Sequence, residues 1–276
     1  MALDPEQRGD PKRELAEALK ELRLRVGLTG DRLARRCNIS QSKISRIETG
    51  KVLPSVVDVE RIVRALGAPA DIVSELTALA RMANTEWQGL RSLYRKGLHR
   101  KQNELADLEA GTSEFRYFLP SVVTGLLSTR PYMRATLRRA GSDIDRIVDM
   151  KIARQEILED RTKSFTFLLT EQAVRWPLVP AVEMARQIDR LKMLSQWPNI
   201  RIGVLPLRGG IPVMALGTFT VYDRTLATVE TTAGIVVLRD SRDVAAHLGL
   251  FGELEEWALF GAAAVQQLSE WAQDFE

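Results

Sequence analysis

The chain has 276 residues, of which 45% are hydrophobic and 27% are charged, and its formal net charge is +3. This balance is typical of a globular protein long enough for two domains, and the longest apolar runs are too short to span a bilayer. The polar N-terminus has no apolar signal region and the single cysteine, Cys37, excludes an internal disulfide framework, so we expect a soluble cytoplasmic protein.

Basic side chains are concentrated near the N-terminus, in residues 23–46, where Asp31 is the only acid. The basic residues of this range are Arg23, Arg25, Arg32, Arg35, Arg36, Lys43 and Arg46. A local basic surface of this kind is typical of a protein that binds a polyanion such as nucleic acid. A solvated charged face explains the same charges, so the charge pattern alone leaves both interpretations open.

Residues 11–82 have the apolar periodicity of five short helices. Apolar side chains recur at helical spacing up to Gly27, and a glycine at that place is typical of a helix C-terminus. Thr29 and Ser55 are placed to cap the second and fourth helices, because a hydroxyl at the N-cap accepts a backbone N–H. We therefore predict a five-helix bundle over residues 11–82.

The third of these helices, which Ser40 caps, separates apolar from polar side chains. At 100° per residue, Ile44 and Ile47 fall on the inner side. The outer side and its flanks carry Gln41, Ser42, Lys43, Ser45 and Arg46. Two helices joined by a tight turn, the second polar on its exposed face, indicate a helix-turn-helix DNA-binding domain.

The stretch "GLTGDRLARRCNISQSKISRIETGKVLPSVVDVERIVRALG" resembles the XRE, or lambda-repressor-like, family. This resemblance implies that the base-facing positions are Gln41, Ser42, Lys43 and Ser45. The residue chemistry agrees, because glutamine can pair with an adenine edge, serine with either base, and lysine with guanine acceptors.

The resemblance also implies contacts with the DNA backbone. Arg46 matches a position that meets phosphate, and the amide and hydroxyl of Thr29 head the second helix, where a phosphate binds well. We assign a further phosphate contact to Arg36. Glu48 is interpreted instead as the partner in an ion pair within the bundle.

Residues 83–113 are predicted to form a polar, partly helical connector. From residue 114 the pattern changes to mixed helices and strands, with strands predicted at 164–171, 199–206, 217–223, 227–232 and 234–239. Residues 114–276 are therefore predicted to form an α+β domain with a sheet of about five strands. The predicted fold class is mainly α, then α+β.

The second domain is similar to the domain of unknown function that follows the helix-turn-helix in actinobacterial WhiJ-like regulators. The stretches that carry this resemblance are "LPSVVTGLLSTRPYMRATL", "KIARQEIL", "FLLTEQAVRW", "QIDRLKMLSQWPNIRIGVLP" and "GTFTVYD". The resemblance implies a regulator whose second domain senses a ligand or a small co-encoded partner protein.

Glu171 and Glu230, at predicted strand ends, suggest where such a ligand or partner binds, and Arg154, Arg175 and Tyr222 are expected nearby. The predicted pocket residues are Arg154, Glu171, Arg175, Tyr222 and Glu230. The second domain has no cysteine, one histidine and no phosphate-binding loop, so we expect neither catalysis nor a cofactor or metal.

The sequence thus predicts a transcriptional regulator that binds a double-stranded DNA operator sequence-specifically. A homodimer is expected, because one short recognition helix reads too few bases for useful specificity. The alternative is an antitoxin-like interaction protein that neutralises a small co-encoded partner and uses DNA binding to regulate its own operon.

Overall fold

The computed structural model describes residues 10–89, 108–138, 144–207, 210, 212–213 and 215–275. The chain forms two compact units. The smaller unit comprises Met1–Gln88 and Val236–Asp243, and the larger unit comprises Gly89–Ile235 and Val244–Glu276. Residues 90–107 of the predicted connector lie outside the described residues.

The smaller unit begins with five helices, as predicted. They are α1 (Pro11–Arg25), α2 (Gly30–Cys37), α3 (Gln41–Glu48), α4 (Val56–Ala65) and α5 (Ala70–Asn84). Their buried faces form one apolar core, whose most enclosed members are Leu15, Leu19, Leu33, Ile44, Ile47, Val59, Ile62 and Val63. This burial of one face of each helix against the others is the main stabilising term of the unit.

Local sequence determines where these helices begin and end. The hydroxyl oxygen of Thr29 accepts a hydrogen bond from the backbone N–H of Arg32 at 3.3 Å, and the hydroxyl oxygen of Ser40 accepts one from the N–H of Lys43. The turn between α2 and α3 passes through Asn38, whose φ of 53° is the left-handed conformation that asparagine tolerates better than most residues. The start of α3 is therefore set within a few residues of the helix itself.

Seven strands are described, against the expected five or so. They are β1 (Thr85–Gly89), β2 (Glu114–Leu119), β3 (Ser164–Thr170), β4 (Ile200–Leu205), β5 (Phe219–Tyr222), β6 (Leu226–Glu230) and β7 (Gly234–Leu238). The additional strands are β1, which lies in the predicted connector, and β2, for which only an extended start was predicted. The short segment of β1 lacks an alternating apolar pattern, and its strand conformation depends on its neighbour β7.

In the larger unit the strand order is β6-β5-β2-β3-β4. β2, β3 and β4 run parallel, whereas β5 and β6 continue the sheet antiparallel to their neighbours. One face is aromatic: Phe115 stacks on Phe165 at 4.7 Å between ring centroids, and Tyr117 on Phe167 at 4.8 Å. This mixed sheet confirms the predicted α+β class.

Further helices lie in the described residues from 130 onward. They are α6 (Arg130–Thr136), α7 (Ile144–Ala153), a 3₁₀ helix (Arg154–Glu159), α8 (Glu171–Arg175), α9 (Ala181–Leu194), α10 (Ser241–Glu255), α11 (Gly261–Ala272) and a second 3₁₀ helix (Gln273–Phe275). In the described parts of the chain, no helix is both long and apolar enough to cross a membrane.

Candidate functional site

The two faces of α3 differ sharply in chemistry. Ile44 and Ile47 are buried in the core of the smaller unit, with 1% and 0% of their surface exposed. The exposed residues of the helix include Gln41, Ser42 and Ser45. The apolar side therefore anchors the helix, and the hydrogen-bonding side chains are left accessible to a partner.

Lys43 lies at the flank of this exposed face and is held by a carboxylate. Its Nζ is 2.8 Å from Asp58 Oδ2 and donates a hydrogen bond to Asp58 Oδ1 at 3.0 Å. Asp58 also completes a capping box with Ser55 at the start of α4. Burial raises the pKa of Asp58, but the hydrogen bonds from Lys43 and Ser55 outweigh that effect and leave the pKa below its ordinary value.

The three residues assigned to phosphate contacts are all exposed. Arg46 lies in α3, where its Nε donates to the Ser42 carbonyl oxygen at 3.4 Å. Thr29 caps α2, and Arg36 lies in the last turn of that helix. Arg36, in the last turn of α2, and Arg46, in α3, are therefore both accessible to solvent.

An ion pair fixes the C-terminal end of α3 to α1. Arg23 Nε and Nη2 donate to the two carboxylate oxygens of Glu48 at 2.7 and 2.8 Å. Arg23 Nη1 also donates to the carbonyl oxygen of Leu28 at 2.7 Å. The prediction that Glu48 is paired within the bundle is therefore confirmed, and the orientation of α3 rests on this pair as well as on its apolar face.

The five predicted pocket residues of the larger unit fall into two groups. Glu171 and Arg175 form an ion pair directly after β3, and Arg175 also pairs with Asp274 at 2.6 Å. Arg154 lies before β3, where its Nε donates to both carboxylate oxygens of Glu109 at 3.0 Å. Among the described residues, no hydrogen bond or ion pair joins Glu171 or Arg175 to Arg154.

Tyr222 and Glu230 belong with Arg154. Burial raises the pKa of Tyr222 to about 12, the positive charge of Arg154 offsets part of this rise, and the negative charges of Glu109 and Glu230 add to it. These charges act on Tyr222 only because they are near it. Arg154, Tyr222 and Glu230 are therefore coupled electrostatically and form one polar cluster, although the strand register sets the backbone of Glu230 beside Thr218, four residues from Tyr222.

Sequence reasoning missed two further members of this cluster. Burial lowers the pKa of Lys151, and the positive charge of Arg154 lowers it further. The hydroxyl of Tyr117 is buried and has no hydrogen-bond partner in the part of the chain that the structure describes. A signal for Lys151 was present, since it follows the buried Ile147 and Val148 at helical spacing and so lies on the inner side of α7.

Two family models match the sequence. One, described as Domain of unknown function (DUF5753), matches residues 102–270, which is more than half of the chain. The chain belongs to the DUF5753 family. A second model, described as Helix-turn-helix domain, matches residues 14–76 of this DUF5753 protein and so covers α2 and α3. The chain therefore carries an XRE-like helix-turn-helix domain followed by a DUF5753 domain, as the resemblances implied.

Several solved structures are similar to this chain. A mutant of the restriction-modification controller protein C.Esp1396I is 22% identical, with a TM-score of 0.24, and the match covers 27% of this chain and 99% of that chain. NucT from Helicobacter pylori is 11% identical with a TM-score of 0.34, over 63% and 97% of the two chains. TrmBL2, described as an archaeal chromatin protein, is 13% identical with a TM-score of 0.31, over 73% and 66%. TM-scores this low support no conclusion about function, and no curated protein matches the sequence.

Proposed function

We propose that this DUF5753 protein is a sequence-specific transcriptional regulator that binds an operator in double-stranded DNA. The observation that carries the proposal is the exposed face of α3, which presents Gln41, Ser42 and Ser45 on a helix fixed from behind by its buried isoleucines. An α-helix fits the major groove, where each base pair presents a distinct pattern of donors and acceptors.

Each side chain of this face has a proposed role. Gln41 pairs with an adenine edge, Ser42 and Ser45 donate to or accept from neighbouring bases, and Lys43 reaches a guanine acceptor at the flank. Lys43 must exchange part of its contact with Asp58 for this role, so we expect its contribution to be smaller than that of Gln41. Arg46, Arg36 and Thr29 bind phosphates and position the helix in the groove.

We propose that the protein acts as a homodimer. The recognition helix has eight residues and is therefore about 12 Å long, which lets it read only a few base pairs. Two copies related by a twofold axis read two half-sites about one DNA turn apart, and this arrangement multiplies the specificity of one helix. The operator is then a pseudo-palindrome.

The larger unit is proposed to bind a small ligand or a partner protein, and to help assembly, rather than to catalyse a reaction. The polar cluster supports this role. The buried, unpartnered hydroxyl of Tyr117 and the desolvated ammonium of Lys151 each lower the stability of the fold, and such groups are concentrated at binding sites. Arg154, held by Glu109, orients the cluster.

Fluorescence anisotropy tests the proposal. The full-length protein is titrated onto a duplex from upstream of its own gene and onto a shuffled duplex of equal length. Gln41→Ala is expected to cost about 1–3 kcal/mol of binding free energy on the first duplex and to relax the sequence preference. Arg46→Ala is expected to weaken binding to both duplexes alike and to lower the salt dependence.

A control variant, Gln196→Ala, removes an exposed glutamine from the larger unit and is expected to change nothing. An unchanged sequence preference in Gln41→Ala would show that Gln41 does not read a base. Weak binding that is equal on both duplexes would contradict the proposed sequence-specific regulator and favour the alternative, an antitoxin-like interaction protein.

A further inference from the structure

The smaller unit contains a segment from far along the chain, Val236–Asp243, which lies outside the matched helix-turn-helix region. We propose that this segment extends the DNA-binding surface, with Arg239 and Arg61 each holding a backbone phosphate beside the recognition helix. This inference rests on the proposed binding of double-stranded DNA by α3. It names a phosphate contact that neither the helix-turn-helix motif nor the family match provides.

The segment is fixed to the helical bundle at several points. The N–H of Arg239 donates to the carbonyl oxygen of Asn84 at 3.1 Å, and the guanidinium of Arg242 donates to Glu60 at 3.0 Å. Val237 is buried. These contacts hold the backbone of Arg239 in one place relative to the end of α5 and to α4.

Asn84 also connects this segment to the loop that follows α3. Its side chain is 5% exposed, and its Nδ2 donates to the carbonyl oxygens of Pro54 and Ala80, each at 2.9 Å. Pro54 immediately precedes the capping box that holds Asp58, the partner of Lys43. Arg239 is therefore positioned through buried hydrogen bonds relative to the recognition helix.

These residues enclose a shallow, open depression on the smaller unit. Its lining includes Lys43, Leu53, Asp58, Arg61 and Arg239. The lining thus carries three positive charges against one carboxylate, and that carboxylate is already paired with Lys43. The depression therefore has a net positive charge and suits an anion.

The two arginines are available to such an anion. Arg61 is exposed and forms no hydrogen bond or ion pair with any residue that the structure describes. Among the described residues, the guanidinium of Arg239 contacts only Glu86, at a long 3.5 Å, and both side chains are about half exposed. Exposed pairs of this kind contribute little, and guanidinium groups bind phosphate oxygens through paired hydrogen bonds.

The position of the depression identifies the anion as DNA phosphate. On the helical wheel of α3, Arg46 lies between Ser42 and Lys43, so Lys43 marks the flank of the base-reading face. The major groove is about 12 Å wide, and phosphates line both of its edges. A depression that begins at Lys43 therefore faces one of these edges when α3 lies in the groove.

The magnitude follows from counterion release. The association constant K falls as the salt concentration rises, and each neutralised phosphate adds about 0.9 to the steepness of log K against log salt. Relative to 1 M salt, one such contact therefore raises the affinity about eightfold at 0.1 M. Arg239→Ala in the full-length protein is therefore expected to weaken binding about eightfold at 0.1 M salt. The loss is expected to be equal on the upstream and shuffled duplexes, and the salt slope is expected to fall by about 0.9.

Arg224→Ala is the matched control, because it removes one exposed positive charge from the larger unit. Its salt slope is expected to match that of the wild type, and thermal unfolding verifies that both variants are folded. An Arg239→Ala slope equal to that of Arg224→Ala would overturn the inference. If Gln41→Ala still loses sequence preference in that case, the proposed regulator stands without this contact, whereas absence of binding by the wild type to either duplex overturns both.

Discussion

The ion pair between Arg23 and Glu48 gives the most direct test of how the smaller unit holds α3. The side chains are only 12% and 10% exposed, and two hydrogen bonds of 2.7 and 2.8 Å join them. The hydrogen bond to Glu48 also raises the pKa of Arg23. Glu48→Ala leaves the guanidinium mostly buried, with the Leu28 carbonyl oxygen as its remaining acceptor among the described residues.

The expected cost is about 3 kcal/mol. Removing one partner of a buried ion pair costs about 3–5 kcal/mol, because the remaining charge is desolvated without compensation. The lower end applies here, since Arg23 keeps the hydrogen bond to Leu28 and some contact with water. A loss of this size shifts the unfolding equilibrium of the unit by about a hundredfold.

Hydrogen exchange followed by mass spectrometry measures this shift in the full-length protein. Peptides from α1 and α3 exchange through opening of the smaller unit, so their exchange in Glu48→Ala is expected to be about a hundredfold faster. Glu17→Ala is the matched control, because it removes a carboxylate from an exposed pair with Arg13. Exposed helix pairs contribute at most about 0.5 kcal/mol, so its exchange is expected to change little.

A double variant separates two effects of Glu48→Ala: the uncompensated buried charge on Arg23 and the loss of the contact itself. Replacing both Arg23 and Glu48 by methionine removes the uncompensated charge and leaves apolar side chains of similar length. Such replacements are often neutral, so we expect slower exchange than in Glu48→Ala. Equal acceleration in Glu48→Ala and Glu17→Ala would refute the proposed role of the pair.

Two further predictions concern stability. Because the pKa of Asp58 is lowered in the folded chain, its stabilising contribution is complete above the unfolded value near 4 and is lost as pH falls through the folded value. Acid unfolding followed by circular dichroism is therefore expected to be less steep in Asp58→Asn, and an unchanged profile would contradict this. A Cβ at Gly203 would lie 2.6 Å from Cζ of Phe260, so Gly203→Ala is expected to lower the free energy of unfolding by about 1–3 kcal/mol in thermal melts. Gly252→Ala inside α10 is the matched control: its Cβ meets no atom within 4 Å, and it is expected to stabilise by about 0.5–1 kcal/mol. A free energy of unfolding in Gly203→Ala equal to that of the wild type would refute the steric explanation.

The helices of the smaller unit were predictable because their determinants are local. Apolar residues at spacings of three and four define the buried faces, and Thr29, Ser40 and Ser55 act on N–H groups within three residues of themselves. The separation of Ile44 and Ile47 from the polar face of α3 is likewise a property of helical geometry. The exposed positions of the recognition helix therefore follow from the sequence alone.

The polar residues of the larger unit were only partly predictable. Arg154, Tyr222 and Glu230 share one cluster, but Glu171 and Arg175 belong to a separate ion-pair group after β3. Placement at a strand end does not specify which end of the sheet a residue occupies. That depends on strand order and direction, which are set by pairing between distant segments.

The sequence by itself therefore determined the helix-turn-helix and the α+β class of the second domain, because periodicity and capping act over a few residues. Tertiary structure alone decided that Lys43 meets Asp58, that Arg154 meets Glu109, and that the segment containing Arg239 joins the helical bundle. These partners are separated by 15, 45 and more than 150 residues. Their contact depends on the packing of whole elements, which no local pattern of side chains encodes.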